Sequence, residues 1–480
     1  MLGRHIVSYL PSQVIPALTA LAAITIYTHL MSPEAYGYYT LMINGHMLLN
    51  LVFFGWLYGV VLRLGPKAAR EGYGAQLRTT TYGLFAVIAL VLVLLTTLFM
   101  TLRPGLAIGW VIWFALGLGI ARSLLTLHEA WHRGALHIQR YNLLECGQAV
   151  LSLIAGVALV YFVPLGARGA ATGLLLGIVV MIMVDSGEYV NMARAHFERP
   201  ILREAMRMGA PLIVSNLLLF ILTSSDRFLI EYFDGAGAVG IYAAGYTLVD
   251  RIMQVLFMAI SMASYSLTIH RLEHEGVEAA RAQTYRNGIG VLALAMPACV
   301  GLIFCAPQLA AVVIGEDFRD GALRIMPLIT LASFCGGLAT HYFDHAFMFA
   351  KKPHLLLFTQ GPGAVLNIIL NLLFIPRFGA IGAAYATLAS YLLLLTLSIV
   401  IGRRAFAIRF PFKPMLQVMG ATAAMGLALA LISLPLNLFG LMAMAAVGAG
   451  VYGAILLLVN LDGARVIARQ AIDLVLGWRK

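Results

Sequence analysis

Two Asp-Arg dipeptides, Asp226-Arg227 and Asp250-Arg251, lie inside long apolar stretches of a chain in which only 11% of the residues are charged. A charged side chain near the centre of a bilayer costs about 2.5–3.5 kcal/mol even on insertion-based scales. The four charged groups therefore need either a partner or a water-filled cavity lined by protein. We expect them to mark the place where this protein works.

Polar residues around these dipeptides recur at helical spacing. One stretch carries Thr247, Asp250-Arg251, Gln254, Ser261 and Tyr265, and the preceding stretch carries Asn216, Thr223 and Arg227. In a soluble protein such a stripe is the solvated face of a helix. Within a membrane it lines a water-filled path or a contact between helices.

Histidines form a second pattern, because three pairs are spaced by four residues: His128 with His132, His270 with His274, and His341 with His345. This spacing places both rings of a pair on one helix face, as a metal site requires. The His-x-x-His-His boxes of membrane di-iron enzymes are absent, and we predict no metal and no cofactor. The first and third pairs are offset by 213 residues. They fit inherited packing, a hydrogen-bonded cytoplasmic gate, or a protonatable gate that includes Asp344.

The composition predicts a polytopic membrane protein of the all-α class. Hydrophobic residues make up 61% of the 480 residues, and the mean hydropathy is +0.89. Apolar runs of about 20 residues, which is the length needed to cross the hydrocarbon core, recur along the chain. We count fourteen such runs: 7–30, 38–62, 79–101, 105–127, 142–163, 168–190, 209–233, 238–267, 286–314, 322–349, 354–375, 379–401, 415–434 and 439–460. Pro297 and Pro307 predict a break in the ninth run.

The positive charges are distributed as in an inner-membrane protein. Fourteen spans with both termini cytoplasmic place 25 Lys and Arg on the cytoplasmic face, including the loop predicted at 122–140, and five on the outer face. This asymmetry follows the positive-inside rule and argues against nucleic acid as a partner, despite the net charge of +11. The four cysteines stand alone in apolar segments and are expected to be packing residues.

Short motifs recur in the same order in the two halves of the chain. Ala35-Tyr-Gly-Tyr-Tyr39 is echoed by Ala238-Val-Gly-Ile-Tyr242, and Gly166-Ala-Arg-Gly-Ala-Ala171 by Gly379-Ala-Ile-Gly-Ala-Ala384. Six spans per half is an even number, so the repeat is parallel, with a pseudo-two-fold axis along the membrane normal. We predict two six-helix lobes, 1–200 and 201–402, followed by two extra helices and a basic cytoplasmic tail in 403–480.

Three longer stretches have a distinctive sequence: Ser32-Pro-Glu-Ala-Tyr-Gly-Tyr-Tyr, Ser224-Ser-Asp-Arg-Phe-Leu-Ile-Glu-Tyr-Phe, and Asn367-Ile-Ile-Leu-Asn-Leu-Leu-Phe-Ile-Pro-Arg-Phe-Gly. In these stretches the chain resembles the polysaccharide-transporter branch of the multidrug/oligosaccharidyl-lipid/polysaccharide exporter superfamily. The resemblance implies a Wzx-type flippase that moves polyprenyl-diphosphate-linked oligosaccharides to the outer leaflet of the bacterial inner membrane. Assembly proteins such as a polymerase would be its partners in exopolysaccharide synthesis, and we expect a monomer.

This resemblance suggests roles for the buried polar groups. The substrate diphosphate would pair with Arg227 or Arg251, and Thr247, Gln254 and Asn216 would line the lumen. Asp226, Asp250 and Asp344 would be counter-charges or ion-coupling groups, and His128, His132, His341 and His345 would form a cytoplasmic gate. An internal salt bridge between Arg227 and Asp250, which would fix the helical hairpin, is an equally open alternative.

Two other functions remain as alternatives. A cation-coupled multidrug exporter of the same superfamily would favour unpaired buried carboxylates, whereas here every deep Asp except Asp344 has an Arg beside it. A membrane glycosyltransferase or polymerase would need a sizeable outer loop with acidic residues, and the outer loops are short. The absence of a G-x-x-x-x-G-K-[ST] phosphate loop argues against nucleotide hydrolysis. We therefore predict a transporter that is not an enzyme and is driven by an ion gradient or by the membrane potential.

Overall fold

A computed structural model describes residues 8–189 and 199–460, and most of these residues are in helices joined by short turns. The predicted basic sites at Arg4, in 194–198 and in the tail from Arg465 lie outside the described residues. The long helices run over Pro11–Leu30, Pro33–Leu48 with its continuation Gly55–Glu71, Gly74–Leu102, Gly109–Gly134, Ile138–Phe162, Gly166–Val184, Arg199–Ser224, Asp226–His274, Val277–Phe304, Glu316–Leu338, Leu357–Phe378, Ala380–Ala405, Phe412–Ala430 and Leu438–Val459. Short helices cover Ser186–Tyr189, Ala306–Val313, His345–Phe349 and Pro353–Leu356, and π-helical turns cover Leu49–Phe54 and Ala339–Phe343.

The helices agree with the predicted all-α membrane fold. In the described part of the chain, twelve helical segments are long and apolar enough to cross a membrane. One of them, Leu212–His274, covers most of the seventh predicted span and all of the eighth. The thirteenth predicted span corresponds to the helix Phe412–Ala430, which is not among the twelve segments. We number the spans from one to fourteen accordingly. The ninth span ends at Phe304 and a short helix with Pro307 in its first turn follows, so the run is broken there as predicted, whereas Pro297 lies inside the helix Val277–Phe304 and does not break it.

Local sequence explains where helices begin and bend. The second span starts at Pro33, and the Ser32 side chain caps it by accepting a hydrogen bond from the Ala35 amide at 3.3 Å. The seventh and eighth spans are joined at Gly235, whose φ of 80° lies in the left-handed region that glycine adopts without strain.

The described helices form two compact units, Met1–Ala243 and Ala244–Lys480. The core of the first unit includes Trp56, Leu127 and Trp131. The core of the second unit includes Phe257, Tyr342 and Phe343. The lobe boundaries at 200 and 402 remain a prediction.

The repeated glycines stand where helices approach each other closely. A Cβ atom on Gly169 would lie 3.1 Å from the Leu159 carbonyl oxygen, and one on Gly382, its counterpart at an offset of 213, would lie 2.4 Å from the Phe374 carbonyl oxygen. In both halves the motif therefore lets the sixth helix of the repeat pack against the fifth. Small residues at helix contacts are the usual means of such approach in membranes.

The other pair of repeated glycines, Gly37 and Gly240, brings the two copies of its motif into contact within the first unit. A Cβ on Gly37 would lie 1.7 Å from the Ala236 carbonyl oxygen, and a Cβ on Gly240 would lie 2.0 Å from the Pro33 carbonyl oxygen. Since these atoms are backbone, no side-chain movement could make room. The glycines are therefore required for the second and eighth spans to cross in this way.

This crossing predicts opposite effects for two alanine substitutions in one helix. Gly240→Ala should lower the stability of the protein by about 2 kcal/mol, because an overpacked contact forces the backbones apart. The control Gly237→Ala adds a methyl group where no atom lies within 4 Å, and it should be neutral or slightly stabilising. Thermal unfolding in detergent measures both, and equal melting temperatures for the two variants would refute the close crossing.

Candidate functional site

The first Asp-Arg dipeptide forms a closed network in the first unit. Asp226 and Arg227 are only 3% and 5% exposed. Arg227 Nη1 lies 2.7 Å from Asp226 Oδ1 and also donates to the Thr223 carbonyl oxygen at 2.6 Å. The Tyr242 hydroxyl donates to Asp226 Oδ2, and the Arg227 guanidinium lies 5.5 Å from the centroid of the Tyr242 ring. This arginine is therefore held by its neighbour.

Sequence spacing alone did not predict this pair, because adjacent residues on a continuous helix point about 100° apart. The seventh helix ends at Ser224, however, and a new helix begins at Asp226. Asp226 Oδ1 also accepts a hydrogen bond from the Arg227 amide at 3.0 Å, in the first turn of the new helix, where a negative charge is favourable. The break between the helices therefore lets the two neighbouring side chains meet.

The second Asp-Arg dipeptide is arranged differently. Asp250 accepts a hydrogen bond from Ser333 at 2.7 Å on one oxygen and from Gln254 at 2.9 Å on the other. Arg251 is exposed, and it forms no ion pair among the described residues. Thr247 is half-buried and Gln254 is exposed on the same helix. The eighth span thus presents a cation that its neighbouring acid does not neutralise directly.

Asn216, predicted to line the lumen, serves a helix contact in this structure. Its side-chain amide donates to the Leu51 carbonyl oxygen at 2.8 Å. Leu51 lies in the π-helical turn Leu49–Phe54, where the usual backbone hydrogen-bond ladder is interrupted. Asn216 therefore satisfies backbone that the π-turn leaves available, and its contact with substrate remains a prediction.

A buried ionic cluster that was not predicted from the sequence lies in the first unit. Arg122 lies 2.9 Å from Glu145 and 3.2 Å from Glu129, and it also donates to Gln148 at 3.4 Å. Glu129 is 3% exposed. Two carboxylates thus share one guanidinium among apolar helices.

The prediction that Arg122 belongs to a loop at 122–140 was wrong. The fourth span runs over Gly109–Gly134, and Arg122 lies near its middle, about 18 Å from either end at 1.5 Å per residue. The first half of the chain therefore also contains an arginine deep inside a span. The signal that could have found it is the apolar periodicity, which continues past residue 127 to Trp131.

The neighbouring polar groups extend this cluster across two more elements. Asn50 donates to the Tyr58 hydroxyl at 3.1 Å and to the Ser123 hydroxyl at 3.2 Å. Tyr58 in turn donates to the Ser123 carbonyl oxygen at 3.3 Å. Amide, hydroxyl and carboxylate groups therefore lie close together among the apolar helices at this level of the fourth span.

The first histidine pair converges on an acid that the sequence analysis did not single out. Asp185 lies 2.9 Å from His128 Nδ1, 2.9 Å from His132 Nε2 and 2.8 Å from Arg140 Nε. Asp185 follows the sixth span directly, and Arg140 is in the first turn of the fifth. Burial acts to raise the pKa of Asp185, but hydrogen bonds from the two histidines and Arg140 outweigh it and lower the pKa. The cluster therefore ties three helix ends together with an ionised carboxylate.

The second histidine pair is not held by an acid in this way. His345 Nε2 lies 3.3 Å from the Ser261 hydroxyl, and the His341 ring stacks on Phe257 at 5.9 Å between centroids. Asp344, which is 5% exposed, accepts a hydrogen bond from Ser398 at 2.7 Å on Oδ1. Its other oxygen, Oδ2, is buried and has no hydrogen-bond partner among the described residues.

The offset of 213 residues relates these two arrangements position by position. His128 and His132 correspond to His341 and His345, and Asp185 corresponds to Ser398. In the first half the acid is at the end of the sixth span. In the second half the acid is Asp344 on the tenth span, at the position that corresponds to Trp131 in the first half. The same contact between repeat-equivalent helices is kept, but only the first has cationic partners for its carboxylate.

No group of three His, Cys, Asp or Glu in the described ranges could hold a metal ion. His270 and His274 stack on each other at 4.3 Å near the end of the eighth span and take no part in either cluster.

Replacing Asp185 tests the cluster at the three helix ends. Asp185→Asn should lower the stability by about 3 kcal/mol, since it removes the acid from a buried ion pair. The control Glu316→Gln alters an acid whose side chain is 87% exposed and should change the melting temperature little.

The same cluster predicts a pH dependence. The lowered pKa means that Asp185 stabilises the fold above its unfolded pKa of 3.8, and that this contribution is lost as the pH falls below that value. Melting temperatures measured from pH 7 down to pH 3 should fall more steeply below about pH 4 for the wild type than for Asp185→Asn. Parallel curves would contradict the assignment.

Comparisons with known proteins support a transporter fold. The sequence profile of the family described as "Polysaccharide biosynthesis protein" matches residues 2–267. The lipid II flippase MurJ, in an inward closed conformation, is similar with a TM-score of 0.76 and 15% identity over 95% of this chain and 99% of that one. No curated protein matches the chain.

Two further solved structures have the same fold. An inward-facing multidrug resistance MATE transporter of the MOP superfamily aligns with a TM-score of 0.64 and 16% identity over 83% of this chain and 98% of that one. A MOP superfamily transporter from Pyrococcus furiosus aligns with a TM-score of 0.56 and 15% identity over 84% and 94%. Together with the profile, which covers more than half of the chain, they show that this protein belongs to the polysaccharide biosynthesis family and has the fold of the MOP exporter superfamily.

Proposed function

We propose that this protein is a flippase that moves a polyprenyl-diphosphate-linked oligosaccharide from the cytoplasmic to the outer leaflet. The observation that carries the proposal is Arg251, an exposed cation within a membrane-spanning stretch whose neighbouring acid is hydrogen-bonded to Ser333 and Gln254. An arginine in such a place needs an anionic partner, and a diphosphate accepts its planar, charge-assisted hydrogen bonds.

The structure favours separate roles for the two arginines. Arg251 would contact the diphosphate, with Thr247 and Gln254 beside it. Arg227 is held by Asp226 and Thr223, and it would fix the helix break at Ser225, within the seventh span. The polyprenyl chain of the substrate would stay in lipid.

The family suggests the cellular setting. We propose a multi-pass protein of the bacterial inner membrane with both termini cytoplasmic, where it would work as a monomer beside a polysaccharide polymerase or other assembly proteins. Moving Arg122 from a loop into the fourth span leaves 24 of the 25 basic residues on the cytoplasmic face, so the charge asymmetry persists. Transport would proceed by alternating access between the lobes 1–200 and 201–402, without catalysis.

Asp344 is our candidate for ion coupling. An ionised carboxylate with one buried oxygen lacking a partner would be costly, so a proton or another cation is needed there in at least one state. His341 and His345 lie in the same helical segment and are candidates for a gate.

A cation-coupled multidrug exporter is the second candidate function. The MATE-like fold and the incompletely paired Asp344 favour it. The family profile and the exposed Arg251 favour an anionic, lipid-linked substrate instead. Mass spectrometry of polyprenyl-diphosphate lipids in a deletion strain separates the two, because only a flippase defect leaves an oligosaccharide on the cytoplasmic leaflet.

Arginine variants test the proposed contact with diphosphate. Arg251→Ala should reduce export by about tenfold to a hundredfold, as expected for the loss of charge-assisted hydrogen bonds, with the melting temperature unchanged. The control Arg103→Ala removes an exposed arginine between the third and fourth spans and should retain export. Both are measured by complementation of the deletion strain and by protein yield, and full export with Arg251→Ala would exclude the role.

Arg227→Ala should instead destabilise the fold, by about 3–5 kcal/mol, because it leaves Asp226 buried without its ion pair. The double variant with Asp226→Asn should recover part of that loss. A stable Arg227→Ala protein with abolished export would show that Arg227 acts on substrate rather than on the helix junction.

Asp344→Asn tests ion coupling with little change in shape. Since Oδ2 has no hydrogen-bond partner among the described residues and Ser398 can still donate to the remaining carbonyl oxygen, we expect the protein to fold. Transport in proteoliposomes should lose its dependence on an imposed pH gradient. An unchanged gradient dependence would remove Asp344 from the coupling pathway.

A further inference from the structure

A cavity of about 240 Å³ lies in the second unit, where the twelfth span ends and the thirteenth begins. Its wall includes a chain of three aromatic rings. Phe343 stacks on Phe410 at 5.9 Å between centroids, and Phe410 meets Phe412 edge to face at 5.2 Å. Ile399 and Met415 add aliphatic surface. The cavity is therefore suited to an apolar chain.

A cluster of positive charge adjoins this cavity. Arg403 lines it, and Arg404, Arg409 and Lys413 follow within eleven residues that contain no acid. All four side chains are exposed. In the described part of the chain, only Arg409 among them forms an ion pair, with Glu278 at 3.5 Å. The remaining cations are available to an anionic group at the mouth.

We propose that this cavity binds one anionic phospholipid of the bilayer, with part of an acyl chain against the phenylalanines and the phosphate at Arg403. Basic clusters beside membrane spans attract anionic lipid headgroups, and here the cluster adjoins an apolar cavity. The lipid would connect the π-helical turn Ala339–Phe343 with the start of Phe412–Ala430, and so would stabilise the attachment of the last two helices.

A resident phospholipid fits better than the polyprenyl chain of a transported substrate. Arg403 is in the last turn of its helix, at the level where membrane phospholipids carry their phosphate. A cargo headgroup must leave that level to cross the bilayer, whereas a structural lipid stays there. The site is also distinct from Arg251, which lies in the interior of the eighth span.

Native mass spectrometry of the full-length protein in detergent tests this site. The protein is titrated with phosphatidylglycerol and, separately, with phosphatidylethanolamine carrying the same acyl chains. Two variants remove the positive charge and the cavity separately. Arg403→Gln combined with Arg404→Gln lowers the charge, and Ile408→Trp fills the cavity, because Ile408 lines it. The matched control Leu416→Trp places the same ring on a neighbouring, 63% exposed position.

We expect the wild type and Leu416→Trp to retain phosphatidylglycerol in preference to phosphatidylethanolamine. The double arginine variant should bind it about fivefold more weakly for each charge removed. Ile408→Trp should lose the tightly bound lipid. If Ile408→Trp does not elute as a single species, the arginine variant, altered only at exposed positions, decides the question.

Three results would overturn the proposal. Equal retention of the two phospholipids would mean that the charge is not recognised, and unchanged binding by the arginine variant or by a folded Ile408→Trp would place the lipid elsewhere. Displacement of phosphatidylglycerol by an equimolar polyprenyl phosphate would identify the cavity as a site for the cargo chain instead.

Discussion

The cost of an ionised group in hydrocarbon is the constraint on which the rest of this structure depends. Water cannot solvate a charge there, so a buried acid must be met by a donor from the protein. Asp226 is met by Arg227 and Tyr242, Glu129 by Arg122, and Asp185 by two histidines and Arg140. Glu145, which also contacts Arg122, lies on the fifth span, and the partners of Asp185 lie on the fourth and fifth spans. Pairing these charges therefore also fixes how the helices of the first unit pack against each other.

A few charged groups in apolar segments are left without a complete set of such partners among the described residues, and these groups are the candidates for function. Arg251 is exposed although its sequence surroundings are apolar, and Asp344 keeps one buried oxygen without a hydrogen-bond partner among the described residues. A fully paired group gains little from binding a ligand, because a partner must first be released. An incompletely paired group gains the whole interaction, which is why Arg251 rather than Arg227 is the better candidate for substrate.

Much of the fold could be predicted because hydropathy and repetition are strong signals. The fourteen apolar runs and the glycine motifs correspond to helices and close helix crossings. Arg122 was missed because a charge near the end of an apolar run looks like the start of a loop. The Asp226–Arg227 pair was missed because Ser224-Ser225 carries no clear sign of a helix break. Asp185 was missed because its histidine partners are more than 50 residues away in sequence.

The repeat shows how two similar halves acquired different properties. At equivalent contacts, Asp185 in the first half is bonded to two histidines. In the second half, its counterpart Ser398 is bonded to Asp344, which is the counterpart of Trp131. Moving the acid from one helix to the other separates it from the histidine nitrogens and leaves it partly unpaired. The charge at Arg122 is likewise balanced by two glutamates, whereas Arg251 has no ion pair among the described residues. At these positions the two halves therefore differ in how completely a charged group is paired.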